Sequence, residues 1–186
     1  GSKALASAEA SMNKAKTLYF EYEAKTTEAG KADKTVGLNV WIKGEKRKTE
    51  ITAPAELKGT KALILSPTEM YVYLPAFGKV RRIASHTSDQ SAFGMAYSQD
   101  ELATQKYSGD YDAAQTSSSD KEVKITLTPK SGKTTTYGKI EMTIAKDHNV
   151  PTEIKYYNSD SKLVKTETRT GYTSESDVWT PGTLKM

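Results

Sequence analysis

Apolar and polar residues alternate along most of the chain, which predicts β-strands. In segment 70–74, methionine, valine and leucine face one way and two tyrosines face the other. Pro75 ends this strand because proline cannot donate to a sheet ladder, and Pro75–Gly78 has the composition of a turn. The chain returns as Lys79–Ile83, so the pattern predicts a β-hairpin with an apolar tip at Phe77 and a basic return strand.

The same alternation recurs on both sides of this hairpin. Short polar turns separate the alternating segments, which favours strands joined in sequential antiparallel order. The predicted strands are 18–26, 35–43, 49–53, 61–66, 123–127, 140–144, 154–156 and 163–172, with an edge strand over 107–114.

Two segments are predicted to be helical. Ala4–Lys16 lacks glycine and proline and places Leu5, Ala8, Met12 and Ala15, with Tyr19 as an extension, on one face. A short helix is expected after Ser98, within segment 85–105. This segment is either a movable lid or an ordinary connection that covers the core. The alternation and the helices together predict a mainly β (α+β) fold: one strongly curved antiparallel sheet whose concave side is closed by helices.

Composition limits the classes of protein that fit. The chain has 186 residues, 36% of them apolar, a net charge of +4, 11 tyrosines and no cysteine. A single domain over residues 1–186 is expected, with Gly1 and Ser2 typical of a cloning scar. The interspersed charges predict a solvated surface and no nucleic-acid site. The absence of cysteine excludes disulfides, thiolate zinc sites and cysteine nucleophiles.

No motif for catalysis is complete. Ser131–Thr134 is similar to the end of a phosphate-binding loop, but Leu127 stands where that loop requires glycine. His86 and His148 lack the close spacing of metal ligands. The sequence therefore predicts a binding protein with neither a metal nor a cofactor.

Several segments together resemble the outer-membrane lipoprotein-sorting-like family, which includes relatives of LolA, LolB and RseB. The segments that carry the resemblance are Leu38–Gly44, Lys48–Ile51, Gly59–Leu65, Tyr71–Ile83 and Tyr97–Leu102. The resemblance implies a half-open antiparallel barrel with a helical lid. It also implies a periplasmic or outer-membrane-anchored protein that binds the acyl chains of lipids or lipoproteins in its concave face.

The resemblance implies an apolar cavity, for which we predict thirteen lining residues, although each of them is also compatible with a simple core. They are Phe20, Tyr22, Leu38, Val40, Ile51, Leu63, Leu65, Met70, Val72 and Leu74, with Phe93, Met95 and Leu102 from the lid. Phe77, Lys79, Arg81 and Arg82 are predicted to contact a membrane protein, a membrane surface or lipid headgroups. We expect a monomeric carrier without catalytic activity that hands its cargo to a membrane partner. The alternative is a lipid-responsive sensor of the cell envelope that serves, for example, an export pump.

Overall fold

The computed structural model describes residues 1–26, 30, 32–66, 68–83 and 106–186. It contains one α-helix, α1 (Ser2–Met12), in these ranges. The strands are β1 (Thr17–Thr26), β2 (Lys34–Lys43), β3 (Lys46–Ala53), β4 (Lys61–Ser66), β5 (Glu69–Leu74), β6 (Lys79–Ile83), β7 (Tyr111–Ser118), β8 (Glu122–Pro129), β9 (Lys139–Ala145), β10 (Val150–Tyr157), β11 (Leu163–Thr170), β12 (Thr173–Glu175), β13 (Val178–Thr180) and β14 (Thr183–Lys185).

The strands form two main antiparallel sheets. The N-terminal sheet has the order β1-β2-β3-β4-β5-β6, and the C-terminal sheet has the order β14-β11-β10-β9-β8-β7; β12 and β13 form a separate pair. The chain divides into two compact units, residues 15–104 and residues 1–14 with 105–186. Each main sheet belongs to one unit.

The prediction of a single sheet is therefore wrong, while the mainly β class and the antiparallel order are confirmed. The change from one sheet to the other falls between β6, which ends at Ile83, and β7, which begins at Tyr111. The alternation predicted most of the strands, though not β12, β13 or β14, and it could not show that they divide between two sheets. Neither sheet closes on itself among the described strands. Strong curvature and a single domain over 1–186 remain predictions.

The helix is shorter at its C-terminal end than predicted. Leu5 and Ala8 are buried, as expected. The helix ends at Met12, where Asn13 caps it: the Asn13 backbone amide and side-chain amide both donate to the Glu9 carbonyl oxygen, at 3.0 and 2.8 Å. Ala15 and Tyr19 therefore do not extend the helical face. No helix in the described ranges has the length and apolarity that a membrane span needs.

The C-terminal unit has a continuous apolar core. Alternate residues of three strands point into it, as the pattern predicted, and α1 adds Leu5 and Ala8. The strand residues of this core are Val123, Ile125, Leu127, Ile140, Met142, Ile144, Ile154 and Tyr156, with Tyr111 from the neighbouring strand.

Candidate functional site

One face of the N-terminal sheet is apolar across all six strands. Strand pairing places Phe20 opposite Val40, Leu38 opposite Ile51, and Ile64 opposite Met70, and directly opposed residues project from the same side of a sheet. We call this side the apolar face. Its apolar members are Leu18, Phe20, Tyr22, Ala24, Val36, Leu38, Val40, Ile42, Ile51, Ala62, Ile64, Met70, Val72, Leu74 and Ile83.

Most of the predicted lining residues in the described ranges share this face. Eight of them are brought together by the strand pairing: Phe20, Tyr22, Leu38, Val40, Ile51, Met70, Val72 and Leu74. Their role in ligand binding remains a prediction. Phe93, Met95 and Leu102, together with the proposed lid 85–105, lie outside the described residues.

Leu63 lies on the other face of the sheet. It is opposite Lys48 on one side and Tyr71 on the other, and it is 39% exposed. Ile64 occupies the apolar face instead and is only 6% exposed. Leu65 lies at a register shift between β4 and β5. Segment 62–65 is apolar at every position, so it gives no alternation from which a face could be predicted.

Burial decreases across the apolar face toward its β6 edge. Leu38 and Ile51 are each 1% exposed and Met70 is 2% exposed, so the residues in the middle of the face are buried core residues. Val72 and Leu74 are half-buried. The partly buried margin of the face is therefore the part that an apolar ligand would meet first.

Aromatic side chains form the opposite margin of the apolar face. The rings of Phe20 and Tyr22 stack with their centroids 5.6 Å apart. Burial raises the pKa of the Tyr22 hydroxyl, and the positive charge of Arg47 partly opposes this shift. Tyr22 is therefore neutral at ordinary pH and contributes an apolar ring with a polar tip.

The predicted hairpin is confirmed. Pro75–Phe77 forms a single 3-10 turn, and Gly78 follows in the left-handed region with φ of 59°. The Gly78 amide donates to the Pro75 carbonyl oxygen at 3.1 Å, after which β6 begins at Lys79. Phe77 at the tip is 62% exposed, and the Arg81 guanidinium lies 5.8 Å from its ring centroid.

The predicted basic group is divided between the two faces. Lys79 is opposite Leu74 and Arg81 is opposite Val72, so both cations lie on the apolar face. Arg82 is opposite Tyr71 on the other face, where its Nη2 donates to the Thr68 carbonyl oxygen at 3.3 Å. Side chains alternate between the two faces along a strand, so the sequence of β6 alone could have shown that Arg82 faces away from Lys79 and Arg81.

Sequence reasoning missed a buried polar group in the C-terminal unit. Glu167 has 0% exposure; its Oε1 accepts from Arg169 Nε at 2.5 Å and its Oε2 from the Tyr156 hydroxyl at 3.0 Å. Arg169 Nη1 also lies 3.5 Å from Met12 Sδ of the helix. Glu167 and Arg169 are oppositely charged and two residues apart on one strand, so their side chains share a face. This spacing was the signal in the sequence that could have indicated the pair.

The C-terminal sheet also has a shallow polar depression of about 290 Å³, lined in part by Lys124, Glu141, Glu153 and Lys155. Its charges are balanced internally, with Lys155 Nζ 3.0 Å from Glu153 Oε1. Within the part of the chain that the structure describes, no group of acidic or histidine side chains is arranged to hold a metal ion. The apolar face is therefore the stronger candidate site.

Comparison with solved structures defines the fold. A DUF1329-family protein from Desulfovibrio piger is 23% identical with a TM-score of 0.83, covering 97% of this chain and 82% of the other. A LolA superfamily protein from Nitrosomonas europaea is 19% identical with a TM-score of 0.77, covering 98% and 83%. A protein from Vibrio parahaemolyticus, described as an outer-membrane lipoprotein-sorting domain, is 19% identical with a TM-score of 0.77. The match covers 97% of this chain and 82% of the other. The chain thus has a LolA-type fold, as its sequence resemblance predicted.

A sequence family also matches most of the chain. Residues 43–186 match a protein family described as "Uncharacterized protein", and the chain belongs to this family. No curated protein matches the chain in sequence. The function must therefore be argued from the site.

Proposed function

We propose that this protein is a periplasmic carrier that binds the acyl chains of a lipid or lipoprotein along the apolar face and hands them to a membrane partner. One observation carries the proposal: eight side chains predicted to line a lipid site share one face of a sheet in a LolA-type fold. The fold supports the inference but does not by itself assign the function.

The chemistry of the apolar face suits hydrocarbon. Removing apolar surface from water is worth roughly 25 cal/mol per Å², or about 0.8 kcal/mol for each buried methylene. Binding of this kind needs no reacting group, and we therefore propose a carrier rather than an enzyme. The half-buried margin near β6, which includes Val72 and Leu74, is where an acyl chain would make its first contacts.

We place the partner contact at the hairpin tip. Phe77 is exposed beside Arg81, and exposed aromatic residues next to arginine are typical of protein contact sites. Handover would bring this tip to a membrane protein or a membrane surface. The same exposure favours the alternative, a sensor of the cell envelope, in which lipid binding changes affinity for a protein partner.

The proposal can be tested with a matched pair of variants at neighbouring positions. Val72 is on the apolar face, whereas Tyr73 is on the other face and is also half-buried. Native mass spectrometry and lipid extraction should detect copurified lipid in the parent protein and in Tyr73→Glu. Val72→Glu should lose it, because a carboxylate cannot be desolvated against an acyl chain at low cost.

Circular dichroism of both variants controls for folding, and Leu74→Gln provides a milder substitution on the same face. A parent protein that carries no lipid and binds none when lipid is added would contradict the proposal. Transfer of bound lipid to acceptor vesicles supports the carrier. A lipid-dependent change in partner affinity without transfer supports the sensor, and turnover of the lipid supports an enzyme.

A further inference from the structure

The acidic residues of the N-terminal sheet lie on one face, whereas its basic residues lie on both. The described strands contain four carboxylates, and all lie on the face opposite the apolar one: Glu21, Glu23, Glu50 and Glu69. The apolar face instead carries four cations: Lys34, Arg47, Lys79 and Arg81. Among these strands, the apolar face is therefore positively charged and lacks acidic side chains.

Two of the carboxylates on the other face have partners within the chain. The Tyr71 hydroxyl donates to Glu69 Oε1 at 2.9 Å, and Lys61 Nζ lies 3.6 Å from Glu50 Oε2. Lys79 and Arg81 differ, since both are exposed and neither has a carboxylate partner among the described residues. They remain available to an anion that comes from outside the chain.

The position of these two cations relates them to the acyl site. Lys79 is directly opposite Leu74, and Arg81 is directly opposite Val72. Directly opposed residues have Cβ atoms about 5 Å apart. Each cation thus borders the half-buried apolar margin at the outermost described strand of the sheet.

We propose that this edge selects the headgroup of the ligand, and that the preferred ligand is an acidic phospholipid whose phosphate lies between Lys79 and Arg81. The proposal rests on the acyl-binding function above, and it specifies the chemical class of the ligand. Arginine and lysine both suit this task, since a guanidinium can bind phosphate oxygens in bidentate fashion and an ammonium acts as a compact charge.

Two soluble lipids with the same palmitoyl chain separate the contributions of chain and headgroup: lysophosphatidylglycerol, which is anionic, and lysophosphatidylcholine, which is zwitterionic. Calorimetric titration at low salt should give about tenfold tighter binding of the anionic lipid, the size expected for two exposed charge contacts. The preference should weaken as salt is raised.

Arg81→Gln should reduce the preference to about threefold, and the double variant Lys79→Gln/Arg81→Gln should abolish it. Arg82→Gln is the matched control, because it removes the same charge from the same strand but on the other face. Its preference should stay within about twofold of the parent. Circular dichroism confirms that each variant is folded.

The possible results distinguish the two proposals. Equal binding of both lipids by the parent protein overturns headgroup selection and leaves acyl binding supported. Equal losses in Arg81→Gln and Arg82→Gln overturn the assignment to this edge, because they would indicate a general effect of net charge. Failure to bind either lipid overturns the acyl-binding function and the headgroup inference with it.

Discussion

The buried ion pair between Glu167 and Arg169 gives the sharpest prediction for stability. The Glu167 side chain is 1% exposed and the Arg169 side chain is 18% exposed, so neither charge is well solvated. Burial opposes the charged guanidinium, but the carboxylate of Glu167 keeps the pKa of Arg169 above its usual value. A guanidinium is too basic to lose its proton in a protein, so Arg169 remains charged when Glu167 is replaced.

Substitution of Glu167→Gln keeps the size of the side chain and removes its charge. The variant leaves a buried cation without compensation, which typically costs about 3–5 kcal/mol of unfolding free energy. Domains of this size are stable by about 5–15 kcal/mol, so the loss is a large fraction of the total. Glu153→Gln is the control: its pair with Lys155 has side chains 38% and 36% exposed, and its loss should cost less than about 1 kcal/mol.

Urea unfolding monitored by circular dichroism measures both variants. The double variant Glu167→Leu/Arg169→Met should be more stable than Glu167→Gln, because replacing both charges leaves no buried ion without a partner. If Glu167→Gln and Glu153→Gln lost similar, small amounts of stability, the reasoning would be refuted.

Three further predictions concern single positions. Burial raises the pKa of Tyr156 well above its usual value of about 10, so its contribution to stability should be constant below pH 10 and fall above it, as Tyr156 ionises there only in the unfolded chain. Urea unfolding from pH 8 to 11 should show this fall, and Tyr156→Phe should make it shallower. Ile64→Ala should lower the free energy of unfolding by about 2–4 kcal/mol, and Leu63→Ala should lower it by less than about 1 kcal/mol. Urea unfolding measures both variants, and a larger loss for Leu63→Ala would contradict the strand pairing. Gly78→Ala should cost about 1–2 kcal/mol because its φ of 59° disfavours a side chain, and an unchanged melting temperature would count against this turn.

The sequence predicted those parts of the fold that depend on local order. The hairpin at Pro75–Gly78 was predictable because proline ends a strand and glycine accepts the left-handed conformation that closes the turn. Strands β8 and β9 were predictable because their valine, isoleucine, leucine and methionine residues alternate strictly with polar ones.

The parts that were missed depend on partners distant in sequence. The run around Leu63 is apolar at every position and has no alternation of apolar and polar residues. Only the pairing of Leu63 with Lys48 and Tyr71 shows on which face of the sheet it lies. Glu167 and Arg169 lie in the predicted strand 163–172, but charged residues are usually exposed, so the strand pattern alone did not indicate that this pair is buried. The division into two sheets depends on which strands pair, and alternation within a strand carries no information about pairing.

The chain has two tryptophans, and each lies in a different unit. Trp41 is on the N-terminal sheet, with Lys48 Nζ 4.3 Å from its ring centroid. Trp179 stacks on His148 with centroids 3.5 Å apart in the C-terminal unit. Two single-tryptophan proteins, Trp41→Phe and Trp179→Phe, would thus give separate intrinsic fluorescence reporters of each half of the chain, without any attached dye.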